Sequence, residues 1–422
     1  MFHKILHTFV TRFLVSLLNF FIVIITAHYL GASVRGSIAM LMLSVTIINI
    51  VNNIIGGSAL VYLVPRNNLF RLLVPSYVWA VFSSVSISLL FYFLKIVELQ
   101  YLSDLMIISF LSSVGAIQIN VLLGKEKVKQ NNWISLLQTF LLLASLMVIV
   151  FVAGENSFSS YLFSLYIGYG MTFIISSLLV IKYIEVAPMG NISDLMKQFL
   201  RFGFQIQLAY ILQLMNYRFS YYLLDKLFGK SEVGIYSIGI SVAEAVWLIS
   251  RSIAMVQYAK VSNTREKEIS RKLSLSLVKL SFIGTLLLLF PVILFPKDGF
   301  AFIFGPAFRN IDEIVLWLSP GIIALAISTV FTHYFSGNGM NKINTFASGI
   351  GFVFTMIFCI VLIPRFGIKG AACSASISYV SSLIYLYVMF ACETHFKPGD
   401  YLPNRDDYNR IRYEVRNLLK LK

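Results

Sequence analysis

Residues Asn216–Lys260 read NYRFSYYLLDKLFGKSEVGIYSIGISVAEAVWLISRSIAMVQYAK. Two apolar runs flank a short polar turn, the pattern of one transmembrane helix ending and a second returning across the bilayer. Three ionised side chains lie inside these runs: Arg218 in the first, Glu244 and Arg251 in the second. A charge at membrane depth costs at least about 2.5–3.5 kcal/mol, so such residues face protein or a water-filled cavity. Glu244 and Arg251 are seven residues apart. Two helical turns place them on one face, about 10 Å apart along the axis. That face must look at something other than lipid.

Composition carries this pattern to the whole chain. Of its 422 residues 58% are hydrophobic and 13% charged, against roughly 25% charged in a soluble domain. Apolar runs of about twenty residues recur between short polar clusters, which predicts an all-α, polytopic membrane protein. Twelve spans are expected, at about 8–30, 37–64, 73–95, 102–123, 133–153, 161–182, 202–224, 233–258, 275–295, 313–336, 343–363 and 370–391. The first run follows His3-Lys4 without a small-residue cleavage pattern, so no cleavable signal peptide is expected. With the N-terminus inside, 23 of the 34 Lys and Arg residues fall on the cytoplasmic side and 8 outside, which sets both termini in the cytoplasm. The net charge of +15 is spread over short loops, which argues for topology and anionic lipid headgroups rather than nucleic acid.

An internal repeat is visible at the turns. Leu30-Gly31-Ala32-Ser33-Val34-Arg35-Gly36 matches Phe228-Gly229-Lys230-Ser231-Glu232-Val233-Gly234, and Leu123-Gly124-Lys125 echoes Ser336-Gly337-Asn338. The offsets, 198 and 213, are those of two six-helix halves with unequal loops, and parallel repeats of this kind are common in transporters. The expected division is a six-helix bundle over 1–182, a cytoplasmic linker over 183–201, a second bundle over 202–391 and a basic tail over 392–422. Within the tail, Tyr408, Ile411, Val415 and Leu418/Leu419 recur at helical spacing among basic residues, the pattern of an interfacial amphipathic helix or a solvated one.

Enzyme signatures are missing: there is no Walker-type phosphate loop, no His-Glu-x-x-His and no His/Cys cluster. Cys359, Cys373 and Cys392 lack metal-ligand spacing, so neither a metal nor a cofactor is expected. The longest outer linker, about 296–312, is too short for a catalytic domain. Candidate site residues lie in the spans. Span 7 carries Tyr210, Gln213 and Tyr217 at steps of three and four, with Asn216 and Arg218 adjacent. Such a stripe can hydrogen-bond sugar hydroxyls and stack on sugar rings. Span 2 carries Asn49 and Asn53 on one face, suited to the same task or to tying helices together. Arg218 and Glu244 can pair structurally or line a cavity, whereas Arg251 has no carboxylate at its depth. An unpaired guanidinium in a span calls for water or an anion, and guanidinium grips phosphate oxygens well. Arg12 and Lys279, near inner helix ends, either snorkel or line a cavity.

HYLGASVRGSIAML with GGSALVYLVPR, the Asn216–Ala254 segment, and YFSGNGMNK followed by IPRFGIKGAACSASISY resemble bacterial polysaccharide exporters of the O-antigen flippase type. The resemblance covers nearly the whole chain and rests on the order and spacing of these segments. It implies the multidrug/oligosaccharidyl-lipid/polysaccharide exporter fold, two six-helix bundles around a central cavity opening alternately to each side. It also implies an undecaprenyl-diphosphate-linked oligosaccharide as substrate, moved from the inner to the outer leaflet of a bacterial inner membrane. Many relatives carry an acidic residue about where Ser220 stands, so no coupling role is carried over to that position. On this reading Arg251 and Arg218 attract the diphosphate, the span-7 stripe faces the glycan, and Glu244 is the candidate for coupling to H+ or Na+. Glycan polymerase and assembly proteins are candidate partners. The rivals are a cation-coupled multidrug exporter of the same fold, a membrane-embedded glycan polymerase or glycosyltransferase, and a transport-inactive scaffold.

Overall fold

The computed structural model describes residues 2–188, 192–263 and 266–394, and it contains no strand among them. The helices are α1 (Phe2–Gly56), α2 (Ser58–Leu63), α3 (Leu69–Phe93), α4 (Leu102–Gly124), α5 (Val128–Phe151), α6 (Phe158–Val180), α7 (Ile192–Phe228), α8 (Lys230–Asn263), α9 (Lys267–Ile293), α10 (Lys297–Phe304), α11 (Ile311–Gly337) and α12 (Asn341–Thr394). From residue 395 onward the expected basic tail lies outside the described residues.

α1 and α12 run for 55 and 54 residues, about 80 Å if straight, where the hydrocarbon core needs about 30 Å. Each breaks at a glycine, Gly31 with φ 79° and ψ 173°, Gly367 with φ 55° and ψ −129°. Each therefore supplies two crossings, the expected spans 1 and 2 and spans 11 and 12. Eight helices (α1, α3 to α6, α9, α11 and α12) are long and apolar enough to cross a membrane. α8 joins them when its two arms, Lys230–Leu248 and Ser250–Ser262, bent by 44°, are taken as one span. α7 is long enough but too polar: Gln205, Gln207, Gln213, Asn216, Arg218, Asp225 and Lys226 interrupt it. With α7 included, the architecture is all-α with about twelve crossing helices. α7 starts ten residues ahead of its expected span, with Lys197 paired to Asp194 on its first turns.

The chain divides into two compact units. The first comprises Met1–Ile211, Phe228–Ser237 and Ala301–Phe308. Two apolar clusters fill it, one around Ile38, Ile48, Ile108 and Leu165, the other around Leu60, Leu72, Ile117 and Phe199. Where α1 ends at Gly56, Asn120 Nδ2 donates to the Gly56 carbonyl at 2.9 Å and satisfies part of the broken ladder. The two repeated turns meet inside this unit. Gly31 and Gly229 both take positive φ, 79° and 86°. The second glycine of each turn lies against the backbone of the other: a Cβ on Gly36 would stand 1.7 Å from the Lys230 carbonyl oxygen, and one on Gly234 1.9 Å from that of Ala32. Only hydrogen fits at either position.

The second unit comprises Leu212–Leu227, Ile238–Phe300 and Arg309–Lys422. Its apolar core gathers Val278, Val330, Phe331, Phe335 and Phe390. Pro320 interrupts α11, and Ser376 of α12 repairs the break. Its Oγ donates to the Trp317 carbonyl at 2.6 Å and accepts from the Gly321 N–H at 3.3 Å. The second sequence echo has a packing counterpart in each unit. Gly124 leaves room for Val64 in the first, and Gly337 leaves room for Val261 in the second.

Candidate functional site

In the second unit the charges of α7 and α8 come together. Arg218 Nη2 donates to Glu244 Oε1 at 2.5 Å. The Arg218 side chain is 22% exposed and that of Glu244 39%. Beneath the guanidinium lies the Tyr221 ring, 5.4 Å from Cζ, while Nη1 is buried with no hydrogen-bond partner. The pair is thus asymmetric: the cation is enclosed and partly unsatisfied, the carboxylate open. Arg251 behaves differently. Its Cζ lies 3.6 Å over the Trp247 ring, it is exposed, and no carboxylate stands within ion-pair distance among the described residues.

Spacing explains the arrangement. Glu244, Leu248, Arg251, Ser252, Met255 and Tyr258 recur at three- and four-residue steps, and within this unit they leave one stripe of α8 uncovered. The helix bends by 44° between the arm that ends at Leu248 and the arm that starts at Ser250. Neither Pro nor Gly is present there. Instead Ser252 Oγ donates back to the Leu248 carbonyl at 2.9 Å, a bond that tends to bend helices. Ser250 anchors the bend, accepting from Ser281 Oγ at 2.7 Å and lying 3.2 Å from Thr285 Oγ1. Beside the ion pair is a small cavity lined by Tyr217, Ile240, Ala243, Glu244, Trp247, Leu318, Ile322, Leu325 and Tyr379. It offers about 20 Å³ to the centre of a water-sized sphere, room for one water molecule. A sugar does not fit in it.

The other expected residues divide sharply. Tyr217 borders the cavity; its hydroxyl accepts from Gln213 Nε2 at 3.2 Å, and its ring meets Trp247 and Tyr379 edge-on at 6.2 and 5.4 Å. Asn216, expected to face the glycan, is only 5% exposed. Its Oδ1 accepts from Thr355 Oγ1 at 2.7 Å and from Ser378 Oγ at 2.5 Å, so it knots α7 to both limbs of α12 instead. In the first unit Asn49 is likewise spent on packing, donating to Ser112 Oγ at 2.9 Å and accepting from Ser113 Oγ at 3.2 Å. Asn53 keeps a buried Oδ1 without a partner. Tyr210 and Arg12 are exposed. Trp247 and Tyr379 were not among the expected site residues. For Trp247 a signal existed, since it stands three residues after Glu244 and four before Arg251, on the same stripe. No group of three or more His, Cys, Asp or Glu side chains gathers among the described residues.

A multi-pass helical membrane protein with this arrangement has counterparts among solved transporters. The fold matches the lipid II flippase MurJ in an inward closed conformation with a TM-score of 0.72, at 16% identity, over 100% of this chain and 94% of that one. It also matches an inward-facing multidrug resistance MATE family transporter of the MOP superfamily with a TM-score of 0.71, at 12% identity, over 90% and 94%. At such identities the likeness is one of fold. In sequence, the model of the polysaccharide biosynthesis protein family matches residues 252–420. The chain is 28% identical over 171 residues to the capsular polysaccharide biosynthesis protein CapF of Staphylococcus aureus, covering 40% of this chain and 43% of that protein. It is 29% identical over 138 residues to the uncharacterized membrane protein MJ1068 of Methanocaldococcus jannaschii, covering 32% and 27%. The chain thus spans less than half the length of either curated relative. The family match covers less than half of this chain, and the solved transporters share its fold.

Proposed function

We propose that the protein is a flippase for an undecaprenyl-diphosphate-linked oligosaccharide repeat unit. It carries the unit from the inner to the outer leaflet of a bacterial inner membrane by alternating access, coupled to an ion gradient, for O-antigen or capsule synthesis. Residues 1–182 and 202–391 are its two six-helix bundles, and the 23-to-8 asymmetry of basic residues supports two cytoplasmic termini. The observation that carries the reading is Arg251. It lies within a crossing helix, on an uncovered stripe, and stacks on an aromatic ring instead of a carboxylate. Its donors remain available to an anion, and a diphosphate is the anion a lipid-linked glycan brings. Glu244 is the coupling candidate, since it is the more open partner of its ion pair.

The test is surface glycan in a deletion strain carrying variants that insert normally. Arg251→Ala should lower export to background and Arg251→Lys should restore it only in part, because an ammonium keeps the charge but loses the two-pronged grip on phosphate. Full export by Arg251→Ala would reduce Arg251 to a snorkelling or structural residue. A drug exporter of the same fold would leave surface glycan unchanged in both variants.

A further inference from the structure

We infer that Trp247 is a positioning residue for substrate, acting through Arg251: it holds the guanidinium flat so that the whole donor edge points outward to the lipid diphosphate. The inference rests on the reading of Arg251 as a phosphate contact. Carbon atoms in contact are about 3.5–4.0 Å apart, so the 3.6 Å between Arg251 Cζ and the Trp247 ring leaves no room for an intervening N–H group. The guanidinium therefore lies face to face with the indole. None of its five N–H donors is directed at the ring; all radiate in the plane where a phosphate fork is accepted. Stacking also fixes a side chain that is otherwise free to turn about four bonds.

The platform itself is fixed. Trp247 is 5% exposed. Its Nε1–H donates to Thr329 Oγ1 at 2.7 Å, and Thr329 Oγ1 in turn donates to the Leu325 carbonyl at 2.7 Å, tying the indole to α11. Tyr217 closes on it edge-first. The bend of α8 matters here as well. Trp247 sits on the arm ending at Leu248 and Arg251 on the arm starting at Ser250, so the bond between platform and rider spans the bend. A residue whose hydrogen bond, ring contact and stacked cation all converge this way does more than fill space.

The probe is farnesyl diphosphate, titrated calorimetrically into the full chain purified in detergent, with thermal stability measured beside it. Wild type should bind and Arg251→Ala should not. Trp247→Leu should weaken binding about three- to thirtyfold, the range a cation–π contact is worth. Trp247→Phe should lose no more than the roughly two- to tenfold expected from releasing the indole N–H, and clearly less than Trp247→Leu, because it keeps a ring face for the guanidinium. A packing role predicts instead that Phe and Leu, both smaller than Trp, weaken binding alike. Equal losses for the two, or none for Trp247→Leu, overturn the positioning role and leave Arg251's own role intact. Binding by Arg251→Ala as tight as wild type, or no binding by wild type, overturns the reading of Arg251 itself. Should Trp247→Leu fail to fold, Thr329→Val carries the test. Releasing the indole N–H should weaken binding about two- to tenfold, and unchanged affinity overturns the inference.

Discussion

The two units handle polarity inside the membrane in different ways. In the first, Asn53 Oδ1 stays without a partner, but two other amides meet neutral hydroxyls from neighbouring helices. Asn49 is satisfied by Ser112 and Ser113, and Gln118 by Tyr77, Ser176 and Ser177. Such networks close on themselves and hold helices together. In the second unit the charges do not close. Arg218 keeps an unsatisfied buried Nη1, Glu244 keeps an open side, and Arg251 has an aromatic ring for company. What sets the candidate site apart is leftover valence on charged groups. A polar group whose donors and acceptors are all used has nothing to offer a passing ligand.

The largest effect should come from the ion pair. Arg218→Ala or Glu244→Ala strands a charge, which costs about 3–5 kcal/mol in fully buried pairs; the open Glu244 side should make the loss smaller here. The exchange Arg218→Glu with Glu244→Arg should recover thermal stability yet leave transport in proteoliposomes low, since the carboxylate no longer occupies the α8 position. Recovered transport with unchanged dependence on the ion gradient would show that the pair is only structural.

Asn216→Leu should rank next. It leaves the Thr355 and Ser378 hydroxyls without their shared acceptor, a loss of about 1–3 kcal/mol. Export should fall in step with the amount of folded protein, as judged by thermal melting and membrane abundance. An export defect in fully stable protein would return Asn216 to the substrate path. Asn49→Ala is the gentlest test. Membrane hydrogen bonds average about 0.6 kcal/mol each, so a small drop in melting temperature with normal export is expected. Lost export without lost stability would erase the contrast between the units.

Fold class was legible because the bilayer demands it: long apolar runs and basic loops are imposed by solvent, whatever the packing. Even the kinks at Gly31 and Gly367 fell in the expected turns. Of the candidate site, the sequence marks most plainly the residues where charge forces the issue. Arg218, Glu244 and Arg251 stand out in any apolar run, and the first two meet at 2.5 Å. The amides were not legible in the same way. Asn216 and its neighbours in α7 have the same spacing whether they face a substrate or a helix, and the answer lies in Thr355 and Ser378, more than a hundred residues away. The bend of α8 was hidden for a similar reason, since serine back-bonding leaves no mark as plain as proline.

The contact between the two glycine turns has a symmetry of its own. Matched across the repeat, Ala32 corresponds to Lys230 and Gly36 to Gly234. Gly36 abuts the Lys230 carbonyl, and Gly234 abuts the Ala32 carbonyl. Each position thus touches the counterpart of its own neighbour, the reciprocal signature of an isologous interface between two copies related by a two-fold axis. Inside one polypeptide, that signature is a local two-fold pseudosymmetry between the two turns. One steric requirement is thus met twice in the same chain, since neither Gly36 nor Gly234 can carry a side chain.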